Sequence, residues 1–165
     1  MGLVVGIAGV SRAGKTSLAT QIKEYEERLI TVILPMDEFV APEKEFPKIN
    51  GVPNWEIPES VDYTKLIKSI KENKPVTDLI LVEGILIYNN RVLWDLFDIR
   101  LFIDLSEKDF FKRKNQDHRW NESGWYLKHI WDSHLTHGTI HQEECKHING
   151  AQEFDLNKIT KWLNL

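Results

Sequence analysis

The chain has 165 residues, of which 42% are hydrophobic and 28% are charged, values typical of one folded domain. Its formal net charge of −4 excludes a general basic surface of the kind that holds nucleic acid. Cys145 is the only cysteine, so neither an intrachain disulfide nor a cysteine metal cluster can form.

Apolar runs and turn residues predict strands that alternate with helices. Strands are predicted at residues 3–8, 29–34, 79–82, 100–104 and 147–148. Helices are predicted at residues 15–27, 62–73, 90–97, 108–114, 125–135 and 155–163, with a loop at 120–124. Asp62 and Ser106 are predicted helix caps, and Leu18, Ile22 and Tyr25 the inner face of the first helix. This alternation predicts a parallel sheet covered on both faces.

Residues 41–58 interrupt this pattern. They contain four prolines and one glycine and are predicted to be irregular. Irregular segments of this length inside a compact domain are usually functional.

Residues 9–16, Gly-Val-Ser-Arg-Ala-Gly-Lys-Thr, match the G-x-x-x-x-G-K-[ST] pattern of phosphate-binding loops. Glycines here let successive backbone amides point at one anion, and the following helix adds its positive dipole end. Lys15 supplies a charge to the phosphates, and the Thr16 hydroxyl supplies an oxygen ligand to Mg²⁺. The residues predicted to bind nucleotide in this segment are Gly9, Ser11, Ala13, Gly14, Lys15, Thr16 and Ser17. The alternative is a glycine-rich turn without a ligand.

Two carboxylates follow predicted strands. The carboxyl ends of parallel strands share one edge of the sheet, where ligands bind. Glu83 ends the third strand and is a predicted Mg²⁺ ligand, the alternative being a solvent-exposed strand end. Asp37 follows the second strand and is the predicted acceptor of a proton from an attacking hydroxyl, the alternative being a loop-capping aspartate.

Four segments together resemble the nicotinamide riboside kinases, within the uridine kinase-like group of P-loop kinases. They are the phosphate loop, Asp37-Glu38-Phe39, residues 54–62 (Asn-Trp-Glu-Ile-Pro-Glu-Ser-Val-Asp) and Val82-Glu83-Gly84. This resemblance implies one P-loop kinase domain over residues 1–165. Its implied fold is a three-layer α/β/α P-loop NTPase with a parallel sheet and a short helical lid at about residues 115–126.

The resemblance also implies roles for individual residues. It places Asp37 as the catalytic carboxylate, Thr16 and Glu83 around Mg²⁺, and Trp55 with Glu56 on the nucleoside. Trp55 could stack on a pyridinium ring and Glu56 could bind ribose hydroxyls, whereas core packing is the alternative for Trp55. Further implied contacts are Phe39, Trp125 and Tyr126 to the substrate and Asn149 near the adenine.

Two departures from the family pattern stand out. Only residues 72–78 link the helix and strand between which uridine kinases carry a recognition insertion, so that element is expected to be absent. The family lid is rich in arginines that clamp phosphates, whereas residues 112–119 contain only Arg113 and Arg119, which are the predicted clamps. Lys112 and Lys114 are either part of this site or a solvated helix face.

The resemblance implies an enzyme that uses ATP and Mg²⁺ to phosphorylate the 5′-hydroxyl of a nucleoside, with nicotinamide riboside as the leading substrate. A uridine, cytidine or other small-metabolite kinase is one alternative, and a non-catalytic nucleotide-binding regulatory module is another. The N-terminal apolar run lacks a basic leader region, so we expect a cytoplasmic protein without membrane segments. His134, His137 and His141 are expected to be exposed rather than to bind metal.

Overall fold

The structure, a computed structural model, describes residues 2–117 and 122–165. In these residues the strands are Leu3–Gly9 (β1), Thr31–Pro35 (β2), Lys48–Ile49 (β3), Val52–Pro53 (β4), Leu79–Glu83 (β5), Ile99–Asp104 (β6) and Lys146–Asn149 (β7). The helices are Lys15–Tyr25 (α1), Tyr63–Asn73 (α2), Arg91–Leu96 (α3), Glu107–Gln116 (α4), Gly124–Ser133 (α5) and Leu156–Leu163 (α6).

A five-stranded parallel sheet organises the fold. Its strand order is β2-β5-β1-β6-β7, so the first strand lies at the centre. The register pairs Ile7 with Glu83, and Glu83 in turn with Pro35. The carboxyl ends of β1, β2 and β5 therefore meet at one edge, where the phosphate loop begins.

Side chains of the central strands alternate between two apolar layers, because successive residues of a strand point to opposite faces. Val4 and Ala8 face one layer, which packs against α2 and α3, while Val5 and Ile7 face the other, which packs against α1 and α6. Both layers are buried, so the predicted three-layer α/β/α architecture is confirmed.

Local capping fixes where several helices begin. The Asp62 carboxylate accepts a hydrogen bond from the Lys65 amide at 3.0 Å, and the Ser106 hydroxyl accepts one from the Asp109 amide at 3.1 Å. Each such cap stabilises its helix by about 1 kcal/mol. Both predicted caps are confirmed.

Two helix predictions need correction. Tyr25 is 46% exposed and its hydroxyl donates to Asn157 Oδ1 at 2.6 Å, because at the helix end this polar group finds a surface partner. The helix predicted at 125–135 begins at Gly124, in the predicted loop, and ends at Ser133. A wider helical turn, His134–Gly138, follows it.

The irregular segment carries a short hairpin. Strands β3 and β4 pair antiparallel around Asn50 and Gly51, both of which have positive φ. A bridge between Val40 and Val61 closes the base of the excursion. Residues 54–56 are thereby held over the carboxyl edge of the sheet. No helix within residues 2–117 or 122–165 combines the length and apolar character that a membrane crossing requires.

Candidate active site

The phosphate loop connects β1 to α1 through backbone conformations that favour glycine. Gly9 has a φ of 150° and Gly14 a φ of 102°. A Cβ atom at Gly9 would lie 2.7 Å from the Ile103 carbonyl oxygen, so this position excludes a side chain. Arg12 is also left-handed, with a φ of 66°. Turned peptide units of this kind form an anion-binding concavity.

Thr16 and Glu83 meet beside this loop. Glu83 ends β5 and is only 6% exposed, so the alternative of a solvent-exposed strand end is wrong. The Thr16 hydroxyl donates a 2.7 Å hydrogen bond to Glu83 Oε1. A hydroxyl and a carboxylate beside a phosphate site are the hard oxygen ligands that Mg²⁺ prefers. The two side chains fit a bound Mg²⁺, and their role as its ligands stays a prediction.

Lys15 is buried at the start of α1, and its ammonium donates to the Val10 carbonyl oxygen at 2.9 Å. Burial lowers the pKa of Lys15, while the nearby carboxylates of Glu83, Asp37 and Glu56 raise it. The charges of three carboxylates therefore act on the phosphate-loop lysine.

Asp37 occupies a single helical turn, Met36–Glu38, directly after β2. Its side chain is exposed, and none of the described backbone amides donates to it, so the structure does not support the loop-capping alternative. Phe39 packs at the edge of the apolar layer below. An exposed carboxylate near Lys15 is accessible to an incoming hydroxyl.

Glu56 is buried in the cleft. Burial raises the pKa of Glu56 to about 7, with Lys114 opposing the increase. The Glu56 amide donates to Asn54 Oδ1 at 3.2 Å, and His129 Nε2 donates to the same oxygen at 2.9 Å. Trp55 points the other way: it is 44% exposed and tilts against Phe46 at 4.6 Å, so the core-packing alternative is wrong.

The start of α5 lies over this segment. The Tyr126 hydroxyl donates to the Pro53 carbonyl oxygen at 3.3 Å. Burial and then the Glu56 charge raise the pKa of Tyr126 to about 12. Trp125 packs edge-on against Tyr126 and is exposed. The structure thus brings Tyr126 together with the 53–56 segment and leaves Trp125 at the rim.

A cavity of about 400 Å³ opens on the other side of the phosphate loop. Its lining includes three predicted nucleotide-binding residues, Ala13, Gly14 and Ser17, together with Phe154 from the segment before α6. Asn149 does not line it. Its side chain instead accepts a hydrogen bond from the Ala151 amide at 2.9 Å and so shapes the neighbouring turn.

Ser11 and His134 line a second, very small cavity of about 10 Å³, which is room for about one water molecule. The His134 ring is not exposed, contrary to expectation, because it packs between Phe102 and Trp131. Burial lowers the pKa of His134 to about 4.

Of the two predicted lid arginines, the structure describes Arg113. Arg113 donates through Nη1 to the Arg12 carbonyl oxygen at 2.9 Å and through Nη2 to that of Gly150. It therefore borders the larger cavity with its donors on backbone oxygens. Arg119 lies outside the described residues, as does part of the predicted lid.

Sequence reasoning did not identify Lys114 and Glu122 as a pair in the site. The Lys114 side chain is 6% exposed and its ammonium lies 2.9 Å from Glu122 Oε2, so the solvated-face alternative is wrong for Lys114. A signal was present, because Lys114 lies four residues after the fully buried Phe110, on the same inward side of α4.

The amino-acid sequence is similar to those of known kinases. The chain is 31% identical to the uridine kinase of Chlamydia pneumoniae in an alignment 137 residues long, which covers 68% of this chain and 62% of that protein. It is 24% identical to nicotinamide riboside kinase 2 of Mus musculus over 153 residues, covering 79% of this chain and 77% of that protein. No protein-family model matches the chain.

A solved structure of a possible uridine kinase from Bacillus stearothermophilus superposes with a TM-score of 0.58 at 18% identity, covering 90% of this chain and 88% of that one. The chain has the fold of the P-loop kinases. Its resemblance to uridine kinases and nicotinamide riboside kinases is confirmed at the level of sequence relatives. The matched region spans about three fifths of the Chlamydia pneumoniae protein.

Proposed function

We propose that this protein is a kinase that transfers the γ-phosphoryl group of ATP to the 5′-hydroxyl of a nucleoside. One observation carries the proposal. The Thr16 hydroxyl of the phosphate loop donates to the buried Glu83 carboxylate at 2.7 Å, and the Asp37 and Glu56 charges also act on Lys15 of that loop. Kinases require this juxtaposition, because catalysis of phosphoryl transfer rests on positioning and charge.

The donor half of the site is built from the phosphate loop, Thr16 and Glu83. Thr16 and Glu83 would hold Mg²⁺ there, and the ion would supply positive charge to the transferred group. Lys15 would exchange its hydrogen bond to the Val10 carbonyl for one to a phosphate oxygen. The cavity bordered by Gly14 and Phe154 offers about 400 Å³ for the rest of the nucleotide.

Asp37 is the proposed general base. As the acceptor oxygen forms its bond to phosphorus and the bond to ADP breaks, the hydroxyl proton passes to the Asp37 carboxylate. The exposed position of Asp37 at the end of β2 keeps it open to the acceptor.

We propose nicotinamide riboside as the acceptor. Trp55 presents an exposed ring for stacking at the rim, while its neighbour Glu56 provides a carboxylate inside the cleft, where its charge acts on the Tyr126 hydroxyl. An ionised Glu56 would also attract a cationic base. The relatives named nicotinamide riboside kinase support this substrate, and the five-residue link between α2 and β5 leaves no room for a uridine-recognition insertion.

Uridine or cytidine is the second candidate, because the relative with 31% identity is named a uridine kinase. The deciding experiment measures kcat/KM with Mg·ATP for nicotinamide riboside, uridine, cytidine and gluconate, with product identified by phosphorus NMR. A higher value for uridine than for nicotinamide riboside would replace the proposed substrate.

No turnover on any of these acceptors would contradict the nucleoside kinase assignment. Tight ATP binding without turnover, unaffected by Asp37→Asn, would instead support the regulatory nucleotide-binding alternative.

A further inference from the structure

Lys114 is a buried cation that lies close to the proposed acceptor residues. It lies in the last turn of α4, with its side chain 6% exposed and its ammonium held by both carboxylate oxygens of Glu122, at 2.9 and 3.1 Å. Burying a lysine costs free energy unless it is paired. Within residues 2–117 and 122–165 the Lys114 ammonium donates to one carboxylate, that of Glu122, whereas an ammonium carries three donors. The position therefore suits a group with more than a structural task.

The end of α4 is fastened to the phosphate loop on either side of Lys114. One residue earlier, Arg113 donates to the Arg12 carbonyl oxygen at 2.9 Å. Three residues later, Asp117 Oδ2 forms an ion pair with Arg12 Nη1 at 3.3 Å. Only 5% of the Asp117 side chain is exposed. Two contacts to one loop residue fix where the last turn of α4 lies, and hence where Lys114 starts.

The charge of Lys114 reaches both halves of the site. Burial lowers the pKa of Lys15, and repulsion by Lys114 acts in the same direction. Burial raises the pKa of Glu56, and the Lys114 charge opposes that increase more than any other neighbouring charge does. Like charges repel, and an anion bound beside both ammonium groups would reduce that repulsion. The phosphate group that passes from donor to acceptor is such an anion.

We infer that Lys114 is a catalytic residue that donates hydrogen bonds to the transferred phosphoryl group. The inference rests on the proposed function. Lys114 replaces one of the arginines expected in the lid, since the guanidinium of Arg113 is bound to backbone carbonyls. Glu122 is its partner before substrates bind.

The test compares four variants with wild type by calorimetric binding of ADP, with and without aluminium fluoride, in the presence of Mg²⁺. Aluminium fluoride mimics the phosphoryl group in transfer, so the ratio of the two affinities reports contacts made to that group. Lys114→Met removes the charge and Lys114→Arg retains it. Glu122→Gln removes the ion pair and leaves the lysine. Lys112→Met is the matched control, because Lys112 is an exposed neighbour on α4.

We expect Lys114→Met to weaken the ADP–aluminium fluoride complex by roughly 100-fold and to change ADP affinity by less than about threefold, as for removal of one transition-state donor. Lys114→Arg, Glu122→Gln and Lys112→Met should keep most of the wild-type ratio. The value of kcat should follow the same order.

An unchanged ratio in Lys114→Met would overturn the inference. Equal losses in Lys114→Met and Glu122→Gln would do so as well, since they would show that Lys114 only links α4 to α5. Thermal unfolding checks that each variant folds, and Lys114→Gln takes the place of the methionine variant if that one does not. A wild-type protein that binds neither ADP nor its aluminium fluoride complex would instead overturn the proposed function, and this inference with it.

Discussion

The Thr16 hydroxyl donates to Glu83 Oε1 at 2.7 Å, joining the first turn of α1 to the last residue of β5. Glu83 is buried and close to Lys15, so its charge is partly compensated before any metal binds. The contact places two oxygen atoms side by side next to the phosphate loop, a geometry suited to a hard divalent cation.

Glu83→Gln should therefore raise the Mg²⁺ concentration needed for half-maximal activity by about tenfold, roughly the cost of a weakened charged ligand. The glutamine still accepts the Thr16 hydrogen bond, so the fold is retained. Magnesium titration of the kinase rate measures the effect. Thr16→Ser, which keeps the hydroxyl, should behave as wild type, and an unshifted titration in Glu83→Gln would remove Glu83 from the metal site.

Asp37→Asn should lower kcat by about 100-fold or more, the usual contribution of a general base. Binding of ATP, followed by calorimetry, should change little, because Asp37 is assigned to the acceptor. Glu38→Gln is the control, since Glu38 is the exposed neighbour in the same turn. If both variants kept full turnover, the proton acceptor would have to be sought elsewhere in the cleft.

Glu56 gives the protein a specific dependence of stability on pH. Its pKa is about 7 in the fold against an ordinary 4.5, so the folded state keeps its proton to higher pH than the unfolded chain. The stabilisation is complete below about pH 4.5 and is lost as pH rises through 7, amounting to about 3 kcal/mol.

Glu56→Gln should remove this dependence on pH, because glutamine stays uncharged. The variant should therefore be more stable than wild type at about pH 8, where the buried Glu56 is ionised, and it should bind the acceptor more weakly. Urea unfolding at several pH values measures the difference in the free energy of unfolding. The exposed Glu59, changed to Gln, is the control. Parallel pH curves for wild type and Glu56→Gln would show that Glu56 is ionised normally.

His129 positions residues 54–56, the acceptor segment, by donating a hydrogen bond to Asn54 Oδ1. The same oxygen accepts a hydrogen bond from the Glu56 amide. His129→Ala should raise KM for the acceptor by about tenfold, the value of one hydrogen bond, and leave KM for ATP near its original value. Lys128→Ala, at an exposed neighbouring position in α5, should change neither constant. Equal increases in both KM values would mean that α5 acts on the whole cleft and not on the acceptor segment.

Much of this arrangement could be predicted from the sequence. Apolar strands, helix caps such as Asp62 and the rule that parallel strands share a carboxyl edge are local or topological signals, and they placed Asp37 and Glu83 near the phosphate loop. The ion pair of Lys114 with Glu122 could not be predicted, because it depends on the path of the chain between α4 and α5. The hydrogen bonds of Arg113 to the carbonyl oxygens of Arg12 and Gly150 could not be predicted either, because the side-chain pattern carries no information on backbone carbonyls.

The exposure of the aromatic rings also could not be predicted from the sequence. Trp55 and His134 are both large rings near irregular segments, yet Trp55 is exposed and His134 is half-buried. Which ring is covered depends on neighbours that are distant in sequence, such as Phe102 for His134.

The pairing of β1 with β5, in which Leu3 lies opposite Leu79, has a consequence for how the protein acquires its fold. The strand that bears the phosphate loop has neither neighbouring strand until about half of the 165 residues have been synthesised, and contacts so distant in sequence form slowly. Thr16 and Glu83 therefore become neighbours late in folding. The appearance of Mg²⁺-dependent nucleotide binding during refolding should mark the moment at which the central strands have joined.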